Sequence, residues 1–427
     1  MSASYKRLQI SDTIGYHQII DPKFKTNTIK VRFLLPLEPQ RAAGYALAAS
    51  LIPTSARKYP SIAALNRKMN RLYGGSASVD VSKMGDLQSV TMTFSALCNR
   101  YALEQEDILG ELLTVLTDCL FDPNLEGEGF SRTEYAIKAK DLLDTIEADI
   151  NNKRGYAIRQ CCRLAYKDEP AAYSCYGTKE EVLALTPEST YQAYLELLRT
   201  AAIEIFFIGP EEQPQVLPVL KEAFSQIDRV PNALCAFISP SPLKEESALL
   251  TETLPVAQCK MVLAFKSSCT NHYAMNLMNM LYGMTPFSKL FANVREKLSL
   301  CYYCTSSYSE LKQTIFVDCG VEKKNIETAK AEILRQLEAV QNGDFTDELL
   351  ENTKLSIFNS IRSTGDTQSS YVAWYFTALI RGYLHTTDEA IEAYQAVTRE
   401  QIMEAARSLT LDTIYIMEAA GEEDVHE

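Results

Sequence analysis

Two side chains in the second half of the chain, Arg295 and Tyr302, have the types and spacing to bind an oxygen that carries negative charge. Arg295 lies late in FSKLFANVREKL, whose apolar period predicts a helix, and Tyr302 lies early in CYYCTSSYS, which alternates as a strand. A guanidinium and a phenol seven residues apart across such a junction can converge on one acceptor. Both donate hydrogen bonds, so they could bind a peptide carbonyl or the oxyanion that it becomes under attack.

The same two residues also fit a structural role. Arg295 could cap the C-terminal end of its helix or pair with a nearby carboxylate, and Tyr302 could pack in the core. The spacing alone leaves both interpretations open, with Arg295 at the edge of the buried stripe that a 3.6-residue period predicts. That stripe consists of Phe287, Leu290, Phe291, Val294 and Leu298.

The cysteines predict a reducing compartment. Eleven cysteines are scattered along the chain without a repeated spacing, which is typical of buried thiols in a cytosolic protein. Cys301 and Cys304 form the only Cys-x-x-Cys pair. In a regular strand Cys301 would share a face with Tyr303, and Cys304 with Tyr302, so the two thiols would point to opposite faces and could not chelate one ion.

Length, charge and hydropathy narrow the function classes. A chain of 427 residues with 46% hydrophobic residues is long enough for two cored domains. A net charge of -13 and dispersed basic residues argue against nucleic-acid binding. The N-terminus has no apolar leader segment, and no apolar run approaches membrane length. These features predict a cytoplasmic protein that does not bind membranes.

The elements that position Arg295 and Tyr302 recur in both halves of the chain. Each half predicts a strand, two helices, a hairpin, further helices and a closing strand, with the first strands at 27–37 and 259–267. The predicted fold class is α+β, with two similar domains that each carry a mainly antiparallel sheet with helices on one face. The expected bounds are an N-terminal domain at 1–210, a Pro-rich linker at 211–248 and a C-terminal domain at 249–427.

The stretch TPFSKLFANVREKLSLCYYCTSSYS resembles the second-domain segment of the insulinase/pitrilysin family, the clamshell metallopeptidases with an inverted zinc motif. The family segment runs approximately S-x-L-[FY]-x-x-[LV]-R-E-K-x-x-L-x-Y, and Arg295 and Tyr302 fall on its arginine and tyrosine. The resemblance covers essentially the whole chain and implies the clamshell arrangement. Its further matches are Ser288, Leu290, Phe291, Glu296, Lys297, Leu300, the Gly74-Gly75 pair, Gly177, Thr178 and Glu180.

The first domain departs from the family at the zinc motif. Active members carry H-x-x-E-H on the helix after the first strand, where two histidines bind zinc and the glutamate is the general base. Alignment on Gly44 and on the glycine pair places Leu47, Ser50 and Leu51 at these three positions. The motif is therefore expected to be degenerate. The third ligand would fall near Thr145, with Asp144 and Glu147 close by in the sequence.

No other metal site is expected in this chain. The four histidines are His17, His272, His385 and His426, and no two of them are three or four residues apart. Without two liganding imidazoles or thiolates, the chain alone would have no metal-activated water. There is also no Gly-rich phosphate loop and no G-x-S-x-G motif. We therefore expect no cofactor in this chain.

The resemblance implies the non-zinc-binding subunit of a bacterial two-chain peptidase, similar to a group labelled as associated with elongation factor P modification. In this hypothesis the catalytic set is incomplete in this chain, and Arg295 and Tyr302 bind the peptide carbonyl. Zinc would be present only in a partner, a zinc-motif-bearing subunit of the same family, and the substrate would be an extended peptide. The chain could form a homodimer when that partner is absent.

A different class of function remains open. The protein could be a non-hydrolytic peptide-binding or assembly protein that adds an extended peptide as a strand to an exposed sheet edge. A zinc-motif gene beside this one would favour the split peptidase, whereas a solitary gene would favour the binding protein.

Overall fold

The computed structural model describes residues 3–232, 234 and 236–420, which divide into two compact units. The predicted bounds at 1–210, 211–248 and 249–427 follow the halves of the sequence and stay a prediction. The first unit takes its described residues from Met1–Glu147, Tyr173–Cys235 and Thr367–Val372. The second unit takes its described residues from Ala148–Ala172, Ala236–Asp366 and Ala373–Glu427.

The first unit is built on a six-stranded sheet. Its strands and those of a short hairpin are β1 (Ser4–Ser11), β2 (Ile14–Ile20), β3 (Thr26–Pro36), β4 (Ser76–Met84), β5 (Leu87–Leu97), β6 (Leu125–Glu126), β7 (Gly129–Phe130) and β8 (Ala202–Gly209). The spatial order is β1-β2-β8-β3-β5-β4, and every neighbouring pair is antiparallel except β2 and β8. The N-terminal hairpin β1-β2 was not predicted from the sequence.

Helices cover one face of this sheet. The helices in the first half of the chain are α1 (Pro39–Leu51), α2 (Ile62–Arg71), α3 (Ile108–Phe121), α4 (Arg132–Ala148), α5 (Lys153–Ala165), α6 (Lys179–Leu183), α7 (Pro187–Thr200) and α8 (Val216–Phe224). Alternate residues of β3, including Ile29 and Val31, lie in one core with Leu47 of α1 and Leu112 of α3. Helix α8 lies within the predicted linker and buries Leu220 in the same core.

The second unit repeats this plan in five strands. They are β9 (Ala248–Leu254), β10 (Cys259–Ser267), β11 (Cys301–Ser309), β12 (Thr314–Val321) and β13 (Leu409–Ala419). The spatial order is β11-β12-β10-β13-β9, with only β9 and β13 parallel. Outward from the parallel pair, this order and the strand directions match β2-β8-β3-β5-β4. The predicted repeat of two similar α+β domains is therefore confirmed.

The helices of the second half cover the main face of the second sheet. They are α9 (His272–Asn279), α10 (Ile326–Gln341), α11 (Asp347–Arg362), α12 (Gln368–Arg381), α13 (Thr387–Gln395) and α14 (Arg399–Arg407). Two π-helical segments, Met280–Met284 and Phe291–Lys297, follow α9. Among the residues described above, no helix is both long enough and apolar enough to cross a membrane.

Helix α5 comes from the first half of the chain but belongs to the second unit. Its residues Ala157 and Cys161 pack against Val262 and Tyr415, on the sheet face opposite the main core. The strand β10 can be buried on both faces because its other side chains, such as Leu263, point into the main core. The second sheet is thus covered on both faces, which the sequence did not predict.

The start of α12 comes from the second half of the chain but belongs to the first unit. Residues Thr367–Val372 belong to the first unit. The Gln368 side-chain amide donates to the Thr26 carbonyl at 2.9 Å, and the Tyr371 hydroxyl donates to Asp21 at 3.0 Å. Each unit is therefore completed by a short segment from the other half of the chain.

Candidate functional site

Arg295 lies on the π-helical segment Phe291–Lys297 rather than on a regular α-helix. A π-helix hydrogen-bonds from residue i to i+5 and so turns less per residue than an α-helix. Leu290 and Val294, four residues apart, are fully buried as predicted. The predicted stripe is wrong at its ends, because Phe287 is 37% exposed and Leu298 is 43% exposed.

A tight turn joins this segment to β11. Ser299 has a φ of +50°, a left-handed conformation that few residues other than glycine adopt. The Leu298 amide donates to the Asn293 carbonyl and the Leu300 amide to the Val294 carbonyl, each at 3.1 Å. These bonds satisfy carbonyls at the end of the π-helical segment and bring the chain directly into β11.

Tyr302 is the extra residue of a β-bulge at the start of β11. Cys301 pairs with Val321 and Tyr303 pairs with the adjacent Gly320, so one residue of β11, Tyr302, has no partner on β12. A bulge redirects side chains and interrupts alternation. Tyr302 is 75% exposed, whereas Cys304 is buried. Tyr302 therefore does not pack in the core, and the predicted face shared by Tyr302 and Cys304 is wrong.

The bulge also changes the Cys-x-x-Cys pair. Cys301 and Cys304 share one face of β11, instead of pointing to opposite faces as regular alternation predicts. The correction follows from the extra residue between them, which shifts the phase of the strand by one position.

Arg295 keeps its guanidinium partly free. Its side chain is 43% exposed, and its Nε lies 3.4 Å from a carboxylate oxygen of Glu296. The guanidinium carbon lies 4.7 Å from the centre of the Phe291 ring, within the range of a cation–π contact. Arg295 thus pairs with a carboxylate, as one of the two interpretations predicts. This ion pair is long and exposed, and it leaves other N–H donors of Arg295 available.

Arg295 and Tyr302 line one pocket of about 380 Å³. The Nε2 of Gln258, another lining residue, is buried without a hydrogen-bond partner among the described residues, while its Oε1 accepts from Lys260 at 2.6 Å. The residues that line the pocket therefore include an arginine, a tyrosine and a glutamine. Its lining residues are Gln258, Arg295, Glu296, Ser299, Leu300, Cys301, Tyr302, Glu322 and Asn325.

The sequence did not indicate Gln258 or Asn325 as pocket residues. Each lies just outside a regular element, before β10 and before α10, and nothing in its local pattern distinguishes it from other polar loop residues. Cys301 did carry a signal, since it adjoins Tyr302 in a Cys-x-x-Cys pair, but regular alternation assigned it a packing role.

The wall behind Tyr302 is held by charged groups. The Tyr303 ring lies between the guanidinium carbon of Arg154, at 4.6 Å, and the Lys260 ammonium, at 5.4 Å. Arg154 also donates to both carboxylate oxygens of Asp318, at 2.6 and 3.2 Å. Helix α5 thereby fixes the strand that carries the exposed phenol.

The three positions of the zinc motif carry no metal ligand. Leu47 and Leu51 are buried in the core of the first unit, and the Ser50 hydroxyl donates to the Leu47 carbonyl at 2.7 Å. Helix α1 lies close to α7 here, because a Cβ at Gly44 would be only 3.2 Å from that of Ala193. Two aliphatic side chains and an internally bonded hydroxyl do not fit a zinc ion.

The region of the third ligand is equally unsuited. Thr145 is exposed, and its hydroxyl donates to the Asp141 carbonyl at 2.8 Å. Asp144 pairs with Lys140, and Glu147 pairs with a lysine of α6. Within the described ranges, no group of three or more histidine, cysteine, aspartate or glutamate side chains is arranged to hold a metal ion.

Each described histidine has a tyrosine hydroxyl as its neighbour. His17 lies 2.7 Å from Tyr5 and also contacts Glu204, His272 lies 3.1 Å from Tyr383, and His385 lies 2.7 Å from Tyr273. His426 lies outside the described residues. The ten described cysteines are all free thiols.

Comparisons with known proteins agree with this geometry. The family model described as "Peptidase M16 inactive domain" matches residues 184–357, which include Arg295 and Tyr302. A relative named "Probable inactive metalloprotease YmfF", from Bacillus subtilis (strain 168), is 27% identical over 405 residues, which cover 94% of this chain and 95% of that protein.

Solved structures give the same fold. A conserved protein from Enterococcus faecalis V583 superposes with a TM-score of 0.92 at 25% identity, covering 98% of this chain and 99% of that one. A peptidase M16 inactive domain from Pseudomonas fluorescens superposes with a TM-score of 0.80 at 15% identity, covering 98% of both chains. The latter likeness concerns the fold alone. With the Arg295 and Tyr302 segment and the repeated two-sheet plan, these matches show that the chain is similar to members of the insulinase/pitrilysin, or M16, peptidase family.

Proposed function

We propose that this chain is a catalytically incomplete subunit of a zinc peptidase, in which Arg295 and Tyr302 bind the carbonyl of an extended peptide. The observation that carries the proposal is that both residues line one pocket of about 380 Å³. Their side chains are 43% and 75% exposed. A ligand oxygen can therefore accept from both without breaking a buried interaction.

The chemistry of these two donors suits a carbonyl that gains negative charge. A guanidinium and a phenol bind an oxyanion more strongly than a neutral carbonyl, so they stabilise the transition state more than the bound substrate. Gln258 lines the same pocket, and its buried Nε2 has no hydrogen-bond partner among the described residues. Binding and charge stabilisation are thus the steps that this chain contributes.

The missing parts must come from another subunit. Leu47, Ser50 and Leu51 provide no zinc ligand and no general base. The word "inactive" in the matched family description and in the name of the Bacillus subtilis relative supports the same conclusion for this chain. In the proposed complex, a zinc-motif-bearing family member supplies a metal that activates water.

Peptidase activity of a reconstituted mixture tests the proposal. The chain, a zinc-motif-bearing partner encoded beside it, and the two together are each incubated with a pool of extended peptides, and products are identified by mass spectrometry. Activity is expected only in the mixture. It should fall about tenfold or more with Arg295→Ala or Tyr302→Phe, as expected for the loss of an oxyanion donor.

Matched substitutions separate this result from loss of folding. Arg362→Ala removes an exposed arginine of α11, and Tyr101→Phe removes the hydroxyl of a tyrosine that is 39% exposed, both outside the pocket. Both variants should retain the activity of the mixture. If Arg295→Ala and Arg362→Ala have equal effects, Arg295 does not bind the reacting carbonyl.

A second function, peptide binding without hydrolysis, is favoured by the position of β11. In the described part of the chain, β11 pairs only with β12. The strand that carries Tyr302 is therefore an edge strand of its sheet. An extended peptide could add to this edge through backbone hydrogen bonds. Absence of peptidase activity in every mixture, together with binding of a labelled peptide, would support this function.

The binding mode itself can be tested. Methylation of alternate backbone nitrogens of the peptide removes the donors that a neighbouring strand would accept. Addition to an edge predicts that methylation on one alternating set of nitrogens abolishes binding, whereas methylation on the other set is tolerated. Equal tolerance of both sets would contradict it.

A further inference from the structure

Cys301 brings a thiol into the same pocket as Arg295. It is the only cysteine among the lining residues, and it is partly exposed. Cys301 directly precedes the bulge at Tyr302, which interrupts the regular alternation of side chains along β11. The pocket is therefore lined by a cysteine as well as by Arg295 and Tyr302.

Two further thiols lie behind Cys301. Cys304 is 4% exposed and Cys319 is fully buried, and the two are direct partners across β11 and β12. The Cys304 thiol interacts electrostatically with both Cys301 and Cys319. Of these three cysteines, only Cys301 lines the pocket and is partly exposed, so it is the one that an external reagent can reach.

The surroundings of Cys301 favour its thiolate form. The neighbouring thiol of Cys304 lowers the pKa of Cys301 below the ordinary value of a thiol. Burial opposes this effect, and the positive charge of Arg295 lowers the pKa further. By contrast, burial raises the pKa of Cys269, another partly exposed cysteine of the second unit. The thiolate is the reactive form of cysteine.

We propose that Cys301 is a thiol modification site that takes low-molecular-weight disulfides and is activated by Arg295 and Cys304. The thiolate attacks one sulfur of a disulfide R–S–S–R, so that a bond between Cys301 and that sulfur forms and the R–S–S–R bond breaks. The second sulfur leaves as R–S⁻ with the bonding electron pair and is protonated by water. The cysteine is oxidised and the disulfide is reduced, so no other oxidant is required.

The modification would block the pocket. The adduct R would lie beside Arg295 and Tyr302, in a volume of about 380 Å³. Its bulk would prevent a peptide carbonyl from reaching the two donors. This consequence rests on the proposed function, whereas the reactivity of Cys301 does not.

Reaction with a neutral probe, 2,2′-dipyridyl disulfide, tests the site. The release of thiopyridone gives the rate, and peptide mapping by mass spectrometry gives the modified residue. At neutral pH Cys301 should react about tenfold faster than Cys269 or more, because more of it is thiolate. Cys301→Ser should remove the fast phase and Cys269→Ser should leave it. Reaction of Cys301 no faster than that of Cys269 would overturn the proposal.

The pH profile of the rate tests the activation. The charged and titratable groups around Cys301 are Arg295, Glu296, Tyr302 and Glu322 in the pocket and Cys304 behind it. Arg295→Gln should slow the reaction about threefold or more at neutral pH and move the midpoint of the profile upward, since a nearby positive charge is lost. An unchanged rate and midpoint would contradict activation by Arg295.

Peptide binding before and after modification separates the two proposals. If unmodified protein binds a labelled peptide and the adduct does not, with recovery after reduction, both stand. If no peptide binds to the unmodified protein but Cys301 still reacts fastest, the proposed function fails and the modification site stands. If the adduct binds peptide with unchanged affinity, the block of the pocket is wrong.

Discussion

Leu47 and Leu51 are core residues of the first unit, and this determines what can be changed at the zinc-motif positions. Both are almost completely buried among the apolar side chains of α1, α3 and the sheet. A polar ligand placed here would lose its hydration without gaining a metal, because Thr145 is exposed and bonded to its own helix. The two leucines at the zinc-motif positions therefore contribute to packing of the core and not to metal binding.

Leu47→Ala should lower the free energy of unfolding by about 2–5 kcal/mol, the cost of lost burial plus a residual cavity. Unfolding in urea, followed by circular dichroism, measures the difference. Leu183→Ala is the matched control, because Leu183 also lies on a helix of the first unit but is 63% exposed. That control should change the free energy by less than about 0.5 kcal/mol. Equal effects would show that Leu47 is not part of the core.

His272 should make the second unit less stable in mild acid. Burial, together with the nearby positive charge of Arg381, lowers the pKa of His272 from 6.5 to about 4. The unfolded chain therefore takes up a proton near pH 6.5, whereas the folded chain does so only near pH 4. The free energy of unfolding should fall as the pH drops between these values. Because the ring is partly exposed, the contribution is at most about 2 kcal/mol.

Denaturant unfolding between pH 7 and pH 4 measures this effect. Other groups also titrate in this range, so the informative quantity is the difference between the wild-type chain and His272→Gln. The variant should show a shallower fall than the wild type. Parallel curves would mean that His272 is protonated equally well in the folded and unfolded chains.

The segment from Met280 to Ser309 positions the pocket as a set of packed elements. The first π-helical segment, Met280–Met284, lies against β11 so closely that a Cβ on Gly283 would be 2.8 Å from the Cβ of Ser306. The Thr305 hydroxyl donates to the Gly283 carbonyl at 3.0 Å, and the Ser306 hydroxyl donates to the Asn279 carbonyl at 3.1 Å. Glycine is required for this approach, which holds the strand that carries Tyr302.

Gly283→Ala should separate these two elements. The added methyl group would overlap Ser306 and a methyl carbon of Leu290, and overpacking of this kind costs about 1–3 kcal/mol. The free energy of unfolding in urea measures the cost, and the peptide-binding assay reports whether the pocket is disturbed. Ser307→Ala, at an exposed position of the same strand, is the control and should change neither. A neutral Gly283→Ala would mean that the segment shifts freely.

Much of the element order was predictable, because it depends on periodicity. Strands such as β10 and helices such as α11 have clear apolar patterns, and both lie where the patterns predict. The bulge at Tyr302 was not predictable, since no glycine or proline interrupts CYYCTSSYS and the alternation continues across it. The two π-helical segments were not predictable either, because the apolar residues keep their helical period across them. Residue identity thus indicated Arg295 and Tyr302, but their exposure and common pocket depend on irregular backbone.

At the scale of the whole molecule, the two units do not coincide with the two halves of the sequence. Helix α5 fills one face of the second sheet with Ala157, Cys161 and Ala165, packed against a patch that includes Val262 and Phe316. A chain cut between the halves would leave this patch uncovered. Large exposed apolar patches lead to association or aggregation.

The fragment 236–427 should therefore be unstable alone and be rescued by a peptide of residues 148–172. We expect the fragment to bind a dye that recognises exposed apolar surface, and the peptide to reduce this binding. A peptide with Cys161→Asp is the control, because it places a charge at a fully buried position. Rescue by both peptides, or by neither, would contradict the assigned role of α5.

The placement of α5 also has a consequence for synthesis on the ribosome. Helix α5 ends at Ala165, whereas the last strand of the sheet that covers it, β13, ends at Ala419. About 250 residues must therefore be translated before the apolar side of α5 finds its partner, which takes on the order of tens of seconds at typical elongation rates. During that interval the nascent chain carries an unshielded amphipathic helix, so we expect its yield in the cell to depend on holdase chaperones that bind such segments.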